Sequence, residues 1–280
     1  MRLSISNIAW DTHEDSEIAA LLQRLSIDAI DIAPGKYFTD FTKATDEDIS
    51  TVKTWWNQHG IEITGMQALL FGTQGLNVFG SEQSQSALLD HLTAVCRIGS
   101  KLGATRMVFG SPKNRDRTGL SDEETWRQAV EFFRKVGDIA QHWGVIICLE
   151  PNPTCYGANF MTSSVETADI VKRVAHPAIV MQLDTGALAI NGESPLVILK
   201  DYAKLIGHIH ASEPKLIPLG DGGTHHQQMA IAINDFLPNH IVAIEMVATH
   251  DEPHATSIER AIKVAIQHYR VMNRESRHEH

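Results

Sequence analysis

Short apolar runs rich in β-branched residues alternate with longer stretches of helical periodicity from one end of the chain to the other. Runs of four to eight apolar residues predict buried strands, and recurrence at i, i+3, i+4 predicts amphipathic helices. The strands are expected at Leu3–Ile8, Ala29–Ala33, Glu62–Gln67, Arg106–Gly110, Val145–Glu150, Ile179–Asp184, Gly207–Ala211 and Val242–Met246. Helices are expected near 16–26, 46–59, 84–101, 122–143, 163–174, 195–203, 226–236 and 255–272. Start signals precede several of them: Thr45-Asp46-Glu47-Asp48, Ser121-Asp122-Glu123-Glu124 and Thr162-Ser163-Ser164 place capping and acidic residues ahead of apolar periodicity. Gly60 and Gly144 stand directly before the third and fifth strands, where a helix stop belongs. The Asn/Gly-rich stretches 152–162 and 214–224 read as long loops after strands.

Eight strand–helix units without a compositional break predict an α/β fold, a single (β/α)8 TIM barrel over residues 1–272, followed by a polar, frayed tail at 273–280. The turn after the first strand, Ala9-Trp10-Asp11-Thr12-His13, has no glycine, so no dinucleotide-binding fold is indicated. The formal charge of −10 lacks the basic footprint that nucleic-acid or anionic-membrane partners require. Cys96, Cys148 and Cys155 are too scattered for a disulfide framework and read as reduced thiols. No basic-then-apolar leader and no apolar run of about 18 residues is present, so a cytoplasmic enzyme of small molecules is expected.

In such a barrel the active site lies at the C-terminal ends of the strands. Four consecutive strands carry a metal-capable side chain there: Glu150 in CLEPNP, Asp184 in QLDTG, His210 in HIHASEP and Glu245 in AIEM. Neighbouring strands lie about 4.8 Å apart, so these four side chains can converge on one ion. Three carboxylates and one imidazole suit a hard divalent cation, Mn²⁺ foremost, with Mg²⁺ or Co²⁺ possible. A single acidic residue at a strand end is ordinarily just solvated. Glu150 and Glu245, however, interrupt apolar strands, where an unpaired carboxylate is costly to bury.

With LEPNP, QLDTG, HIHASEP and AIEM, strands five to eight resemble the xylose-isomerase-like superfamily of sugar isomerases and epimerases. Its ketose 3-epimerases, hydroxypyruvate isomerases and inosose dehydratases are the members most alike. The resemblance implies that Glu150, Asp184, His210 and Glu245 hold one divalent ion, and that Glu150 and Glu245 also exchange protons with a carbohydrate substrate. The ion would stabilise an enediolate as a Lewis acid while one glutamate removes a proton and the other returns one. Return to the opposite face of the same carbon gives an epimer, and return to the neighbouring carbon an aldose–ketose isomer. Barrels of this kind are commonly homo-oligomers.

Two positions depart from the ketose 3-epimerase pattern. Ala187 stands where those enzymes carry a histidine, and Leu216 where they tend to place an arginine. Tagatose or psicose is therefore not carried over as substrate. Lys113 and Arg115 after strand four and Lys215 after strand seven are either solvated loop charges or groups that recognise an anion or sugar hydroxyls. Glu213 is open to holding a substrate hydroxyl, pairing with Lys215 or orienting the metal site. Gln67 and Asn7 are candidate polar liners. His208 and Gln182 lie one layer deeper and are expected in the core, as is Cys148. Trp10 and Phe71 suit either the mouth of the barrel or a subunit contact.

Three rival readings remain. An inosose-dehydratase-like lyase would use the same groups to expel water. A non-catalytic sugar-binding barrel would not need both glutamates. A repair nuclease of the endonuclease IV type would need further histidines near Gln67, Phe109-Gly110 and Ala187, where this chain has none.

Overall fold

The computed structural model describes residues 1–270, in which eight parallel strands close into a barrel in chain order. The strands are β1 (Arg2–Ser6), β2 (Ala29–Ile32), β3 (Glu62–Met66), β4 (Arg106–Phe109), β5 (Ile146–Leu149), β6 (Ile179–Asp184), β7 (Ile206–Ser212) and β8 (Ile241–Glu245). The helices are α1 (Asp15–Arg24), α2 (Asp46–Gln58), α3 (Glu82–Leu102), α4 (Asp122–Trp143), α5 (Ser164–Val174), α6 (Thr185–Asn191), α7 (Pro195–Tyr202), α8 (His226–Phe236) and α9 (His254–Tyr269). Each strand is covered outside by helices and filled inside by its neighbours, which is why its residues read as an apolar run rather than an alternation; in β2 all four are buried. The expected tail at 273–280 lies outside the described residues. No helix among the described residues is long and apolar enough to cross a membrane.

Local chemistry sets the helix ends. Thr45 with Asp48, and Ser121 with Glu124, form reciprocal capping boxes, and Ser163 caps α5. Gly60 and Gly144 take positive φ at +69° and +67°, a conformation that only glycine adopts without strain. Two features differ from expectation. β1 stops at Ser6 because the Ser6 hydroxyl accepts the Ile8 N–H and turns the chain into a short 3-10 helix. α6 was not anticipated: its first turn is built around the Asp184 carboxylate, which accepts the Ala187 N–H at 2.6 Å.

Register places the chemistry. Asp184 on β6 pairs with His210 on β7, and Ser212 on β7 pairs with Glu245 on β8. On the other side of the barrel, Asp31 of β2 stands opposite Gly65 of β3, where the ladder slips by one residue. A Cβ at Gly65 would lie 2.6 Å from Asp31 Oδ1, so only glycine leaves room for this inward carboxylate.

The loop after β7 is fastened from below. The Glu213 carboxylate accepts the backbone N–H groups of Gly220 (2.8 Å) and Thr224 (3.0 Å). It also meets His226 Nε2 at 2.9 Å, while His226 Nδ1 lies 2.8 Å from the Tyr269 hydroxyl. Burial works to raise the Glu213 pKa, but these donors, His226 first, hold it down at about 2.

These contacts generate two predictions about stability. Gly65→Ala is expected to lose about 1–3 kcal/mol, the usual cost of overpacking; an unchanged urea midpoint would contradict it. Glu213 has a depressed folded-state pKa, so its stabilisation is full above its ordinary value of 4.5 and is lost as pH falls toward about 2. Glu213→Gln should therefore be less stable than the parent at neutral pH, with the gap closing over that window. A gap independent of pH in urea titrations would refute the anchor.

Candidate metal and active site

Glu150, Asp184, His210 and Glu245, supplied by the ends of β5 to β8, offer ligand atoms that all lie within 4.8 Å of one another. All four are buried. His210 Nδ1 is 3.5 Å from Glu150 Oε1 and 3.3 Å from Glu245 Oε2. Each carboxylate has one oxygen tied down by the protein. Gln67 Nε2 donates to Glu245 Oε1 at 2.7 Å, and Asn152 Nδ2 donates to Glu150 Oε2 at 3.2 Å. Ser212 Oγ and the Ala187 N–H donate to Asp184 Oδ1 at 2.9 Å and 2.6 Å. Glu150 Oε1 is left buried with no hydrogen-bond partner.

The charges explain why this arrangement asks for a cation. Two like charges about 4 Å apart repel by roughly 4 kcal/mol at an effective dielectric near 20, and three carboxylates meet here. Burial, then the Glu245 and Glu150 charges, push the Asp184 pKa well up. Burial works to lower the His210 pKa, yet Glu245 and the surrounding acceptors raise it well above its usual value. Burial likewise opposes ionisation of Glu245, but His210 and Gln67 outweigh it and hold its pKa below the ordinary range. One imidazole cannot balance three carboxylates. An oxygen-rich donor set with an orphaned buried oxygen fits a divalent ion.

Behind His210 stands a second layer. Its Nε2 faces Asp31 Oδ2 at 3.8 Å, and His208 Nε2 meets the same oxygen at 2.6 Å. Asp31 is fully buried; burial raises its pKa, but His208 and His210 override this and hold it below the carboxylate range. A carboxylate behind a ligating histidine fixes the ring and its tautomer. His208 is thus a hydrogen-bonded core histidine, as expected, while Asp31 escaped the sequence reading because AIDIAP looks like any strand with one polar residue. Gln182 is buried beneath His210, and burial pushes the Cys148 thiol up to about 12.

Glu150, Asp184 and Glu245 open into a cavity of about 670 Å³ at the C-terminal face of the barrel, with His210 fully buried among them. Gln67, Glu213 and Lys215 belong to its wall. Asn7 does not: it is fully buried, and its Oδ1 accepts the Ala33 N–H at 2.7 Å, pinning the β1 loop to β2. Lys113 points elsewhere, donating to the Thr73 carbonyl at 2.9 Å. Arg115 is no solvated loop charge, being wholly buried. Trp10 is core as well, its indole N–H donating to Asp15 at 2.8 Å, whereas Phe71 lines the mouth at 86% exposure.

Sequence reading passed over Lys36, Tyr156 and Val247, which also line the cavity. Lys36 in Ala33-Pro34-Gly35-Lys36 had a usable signal, a cation just beyond a strand end. Its amine donates to the Trp10 carbonyl, and burial lowers its pKa. Lys215 and Leu216 adopt φ of +64° and +54°, a conformation costing about 1–2 kcal/mol per residue. They are held there because Lys215 N–H donates to the Tyr156 hydroxyl at 2.7 Å and Leu216 O accepts the Val247 N–H at 2.9 Å.

A family model described as a xylose isomerase-like TIM barrel matches residues 19–268. Inosose dehydratase 2 of Bacillus cereus is 34% identical over 146 residues, 47% of this chain and 45% of that protein. Inosose dehydratase 1 of the same organism is 35% identical over 94 residues, 32% of this chain and 29% of that protein. The matches thus span about a third to a half of these relatives. The D-psicose 3-epimerase of Clostridium cellulolyticum H10, solved with D-tagatose, superposes with a TM-score of 0.78 at 20% identity, covering 96% of this chain and 98% of that one. With a closed eight-stranded barrel and a family match over nearly its whole length, the chain belongs to the xylose isomerase-like TIM barrel family.

Proposed function

We propose that this protein is a divalent-metal-dependent isomerase or epimerase of a keto-sugar or sugar derivative, with Glu150 and Glu245 as its proton-transferring pair. One observation carries the reading. Two glutamates from different strands flank a single histidine, each with one oxygen fastened and the other directed inward. Glu150, Asp184, His210 and Glu245 would hold the ion. When bound, it would acidify the C–H beside a carbonyl by polarising the carbonyl and a neighbouring hydroxyl. Mn²⁺ suits the oxygen-rich set best; a zinc atom is bound in the IOLI protein structure, a fold neighbour at TM-score 0.75 and 17% identity that covers 96% of this chain and 98% of that one.

The chain's own residues divide the remaining work. Glu245, kept ionised by His210 and Gln67, is ready to accept a proton from substrate. Glu150, just beyond the end of β5, is the partner that returns one in this reading. Gln67 Oε1 is buried without a protein partner and suits a substrate hydroxyl. Lys215 lines the cavity and has no carboxylate partner among the described residues, which fits an anionic or polyhydroxylated substrate. Ala187 and Leu216 present apolar wall where ketose 3-epimerases resemble one another in carrying polar groups, so tagatose or psicose is not carried over as the substrate.

A second reading is favoured by the names of the curated relatives: loss of water from an inosose or keto-sugar with the same two carboxylates. Product mass separates the two, being unchanged for an isomerase and lower by one water for a dehydratase. A screen of ketoses, sugar phosphates and inososes in heavy water would find the substrate by deuterium uptake.

The ion must displace protons from a site that holds Asp184 protonated to unusually high pH. Mn²⁺ affinity is therefore expected to fall as pH is lowered through that raised pKa, with protons released on binding. Calorimetry in two buffers of different ionisation enthalpy measures this, and binding without proton release would contradict it. Asp184→Ala and His210→Ala should each lose the ion; full metal in both by elemental analysis would end the assignment.

Glu150→Gln and Glu245→Gln each keep shape and an oxygen but lose the basic site. With metal occupancy restored, each should lose about 10²–10⁴-fold in net turnover. One of the two is expected to keep exchanging the substrate's α-deuterium with water without forming product. Turnover of both within about tenfold of the parent, outside that range, would overturn the paired-glutamate mechanism.

A further inference from the structure

Glu150 differs from the other candidate ligands in how it is held. Its clamp, the Asn152 side-chain amide, is itself gripped from behind by a cation. Arg115 ends the short 3-10 turn Pro112–Arg115 after β4 and is completely buried. Its Nη2 donates to Asn152 Oδ1, and Asn152 Nδ2 donates to Glu150 Oε2 at 3.2 Å. Among the described residues, Arg115 forms no ion pair with a carboxylate, and its Nε and Nη1 have no hydrogen-bond partner. A guanidinium is costly to bury in that state.

Anchoring the β4 loop does not account for it, because the neighbouring Asn114 already does that. Asn114 Nδ2 donates to the Leu76 carbonyl at 2.8 Å, and the Asn114 carbonyl accepts the Val78 N–H at 2.8 Å. Arg115 instead faces the β5 loop. There the Asn152 backbone N–H donates to the Met161 carbonyl at 2.9 Å, so the main chain is fixed and only the side-chain amide is left to orient.

Arg115 decides that orientation. A guanidinium only donates, so Asn152 must turn its oxygen toward Arg115 and its NH₂ toward Glu150. The reversed amide would set two donors against each other and present an oxygen to the carboxylate. A cationic donor on the amide oxygen also polarises the NH₂ and strengthens its bond to Glu150. On the far side Gly110 leaves the space, since a Cβ there would collide with Glu150 Oε2. Oε2 is thereby confined, and Oε1 is the oxygen presented to the cluster.

We infer that Arg115 is a positioning residue for Glu150, acting through Asn152, and that the relay presets the β5 carboxylate for a divalent ion and for proton transfer. The inference rests on the proposed metal-dependent function, since its affinity arm needs the ion. Partners that orient a ligand in this way typically carry about 10–100-fold in metal affinity.

The test uses the full chain and Mn²⁺ as the probe, with free Mn²⁺ followed by electron paramagnetic resonance. Arg115→Met and Asn152→Ala should each weaken binding by about 10–100-fold, and the double variant should be no worse than the weaker single. Arg115→Met combined with Gln67→Ala, which releases Glu245 on the opposite side, should instead multiply the two losses. A general loosening of the barrel would not distinguish these two cycles. The crystal structure of metal-free Arg115→Met should show Glu150 turned out of the cluster; if that variant does not fold, Asn152→Ala takes its place. Arg115→Met binding within about twofold of the parent, well short of the expected loss, or Glu150 unmoved in the variant crystal, would overturn the relay. If the parent chain takes up no Mn²⁺, the metal-dependent function falls, and the position of Glu150 in the crystal still decides the relay.

Discussion

Mutual repulsion among three buried carboxylates is the constraint around which this end of the barrel is built. Candidate ligand atoms of Glu150, Asp184 and Glu245 lie within 4.8 Å of one another, with His210 as the single imidazole among them. Left free, such groups would swing apart or protonate, and the raised Asp184 pKa shows the pressure to do so. Each is therefore tied by one oxygen to a donor from a different element: Gln67 after β3, Asn152 after β5, and Ser212 of β7 with the first turn of α6. The fastenings do not remove the charge. They fix where it is concentrated.

That concentration depends on backbone that never touches the site. Asp31 needs Gly65, because any side chain on that bulge of β3 would occupy the space of its carboxylate. Asp31 in turn aligns His208 and faces His210 across the barrel interior. A closed parallel barrel suits this task, since rigid strands hold ligands to a tolerance that loops do not reach.

The loops carry the features that distinguish this chain from the fold. Lys215 and Leu216 sit in left-handed conformations that are maintained from outside, by Tyr156, by the β8 loop and by the Glu213–His226–Tyr269 chain underneath. Strain of this kind concentrates where geometry serves function. Its effect here is to place a cationic and an apolar side chain next to each other in the cavity wall. Glu213, open to a substrate role on its sequence alone, has its carboxylate committed to holding that loop.

The order of elements and the four ligand candidates were legible in the sequence because both depend on local rules. Burial on two faces makes strands read as apolar runs, capping residues announce helices, and a carboxylate at the end of an apolar strand stands out against its neighbours. What the sequence could not reveal depends on which atoms meet across the barrel. Asn7 and Lys113 lie near strand ends like true liners, yet the fold spends Asn7 on the Ala33 N–H and turns Lys113 to Thr73. Arg115 reads as a loop charge and becomes a buried cation, and Asp31 reads as an ordinary strand residue and becomes the partner of two histidines. Position along a strand is set by nearest neighbours in the chain. Hydrogen-bond partners are set by strand register and loop closure, which only the closed barrel decides.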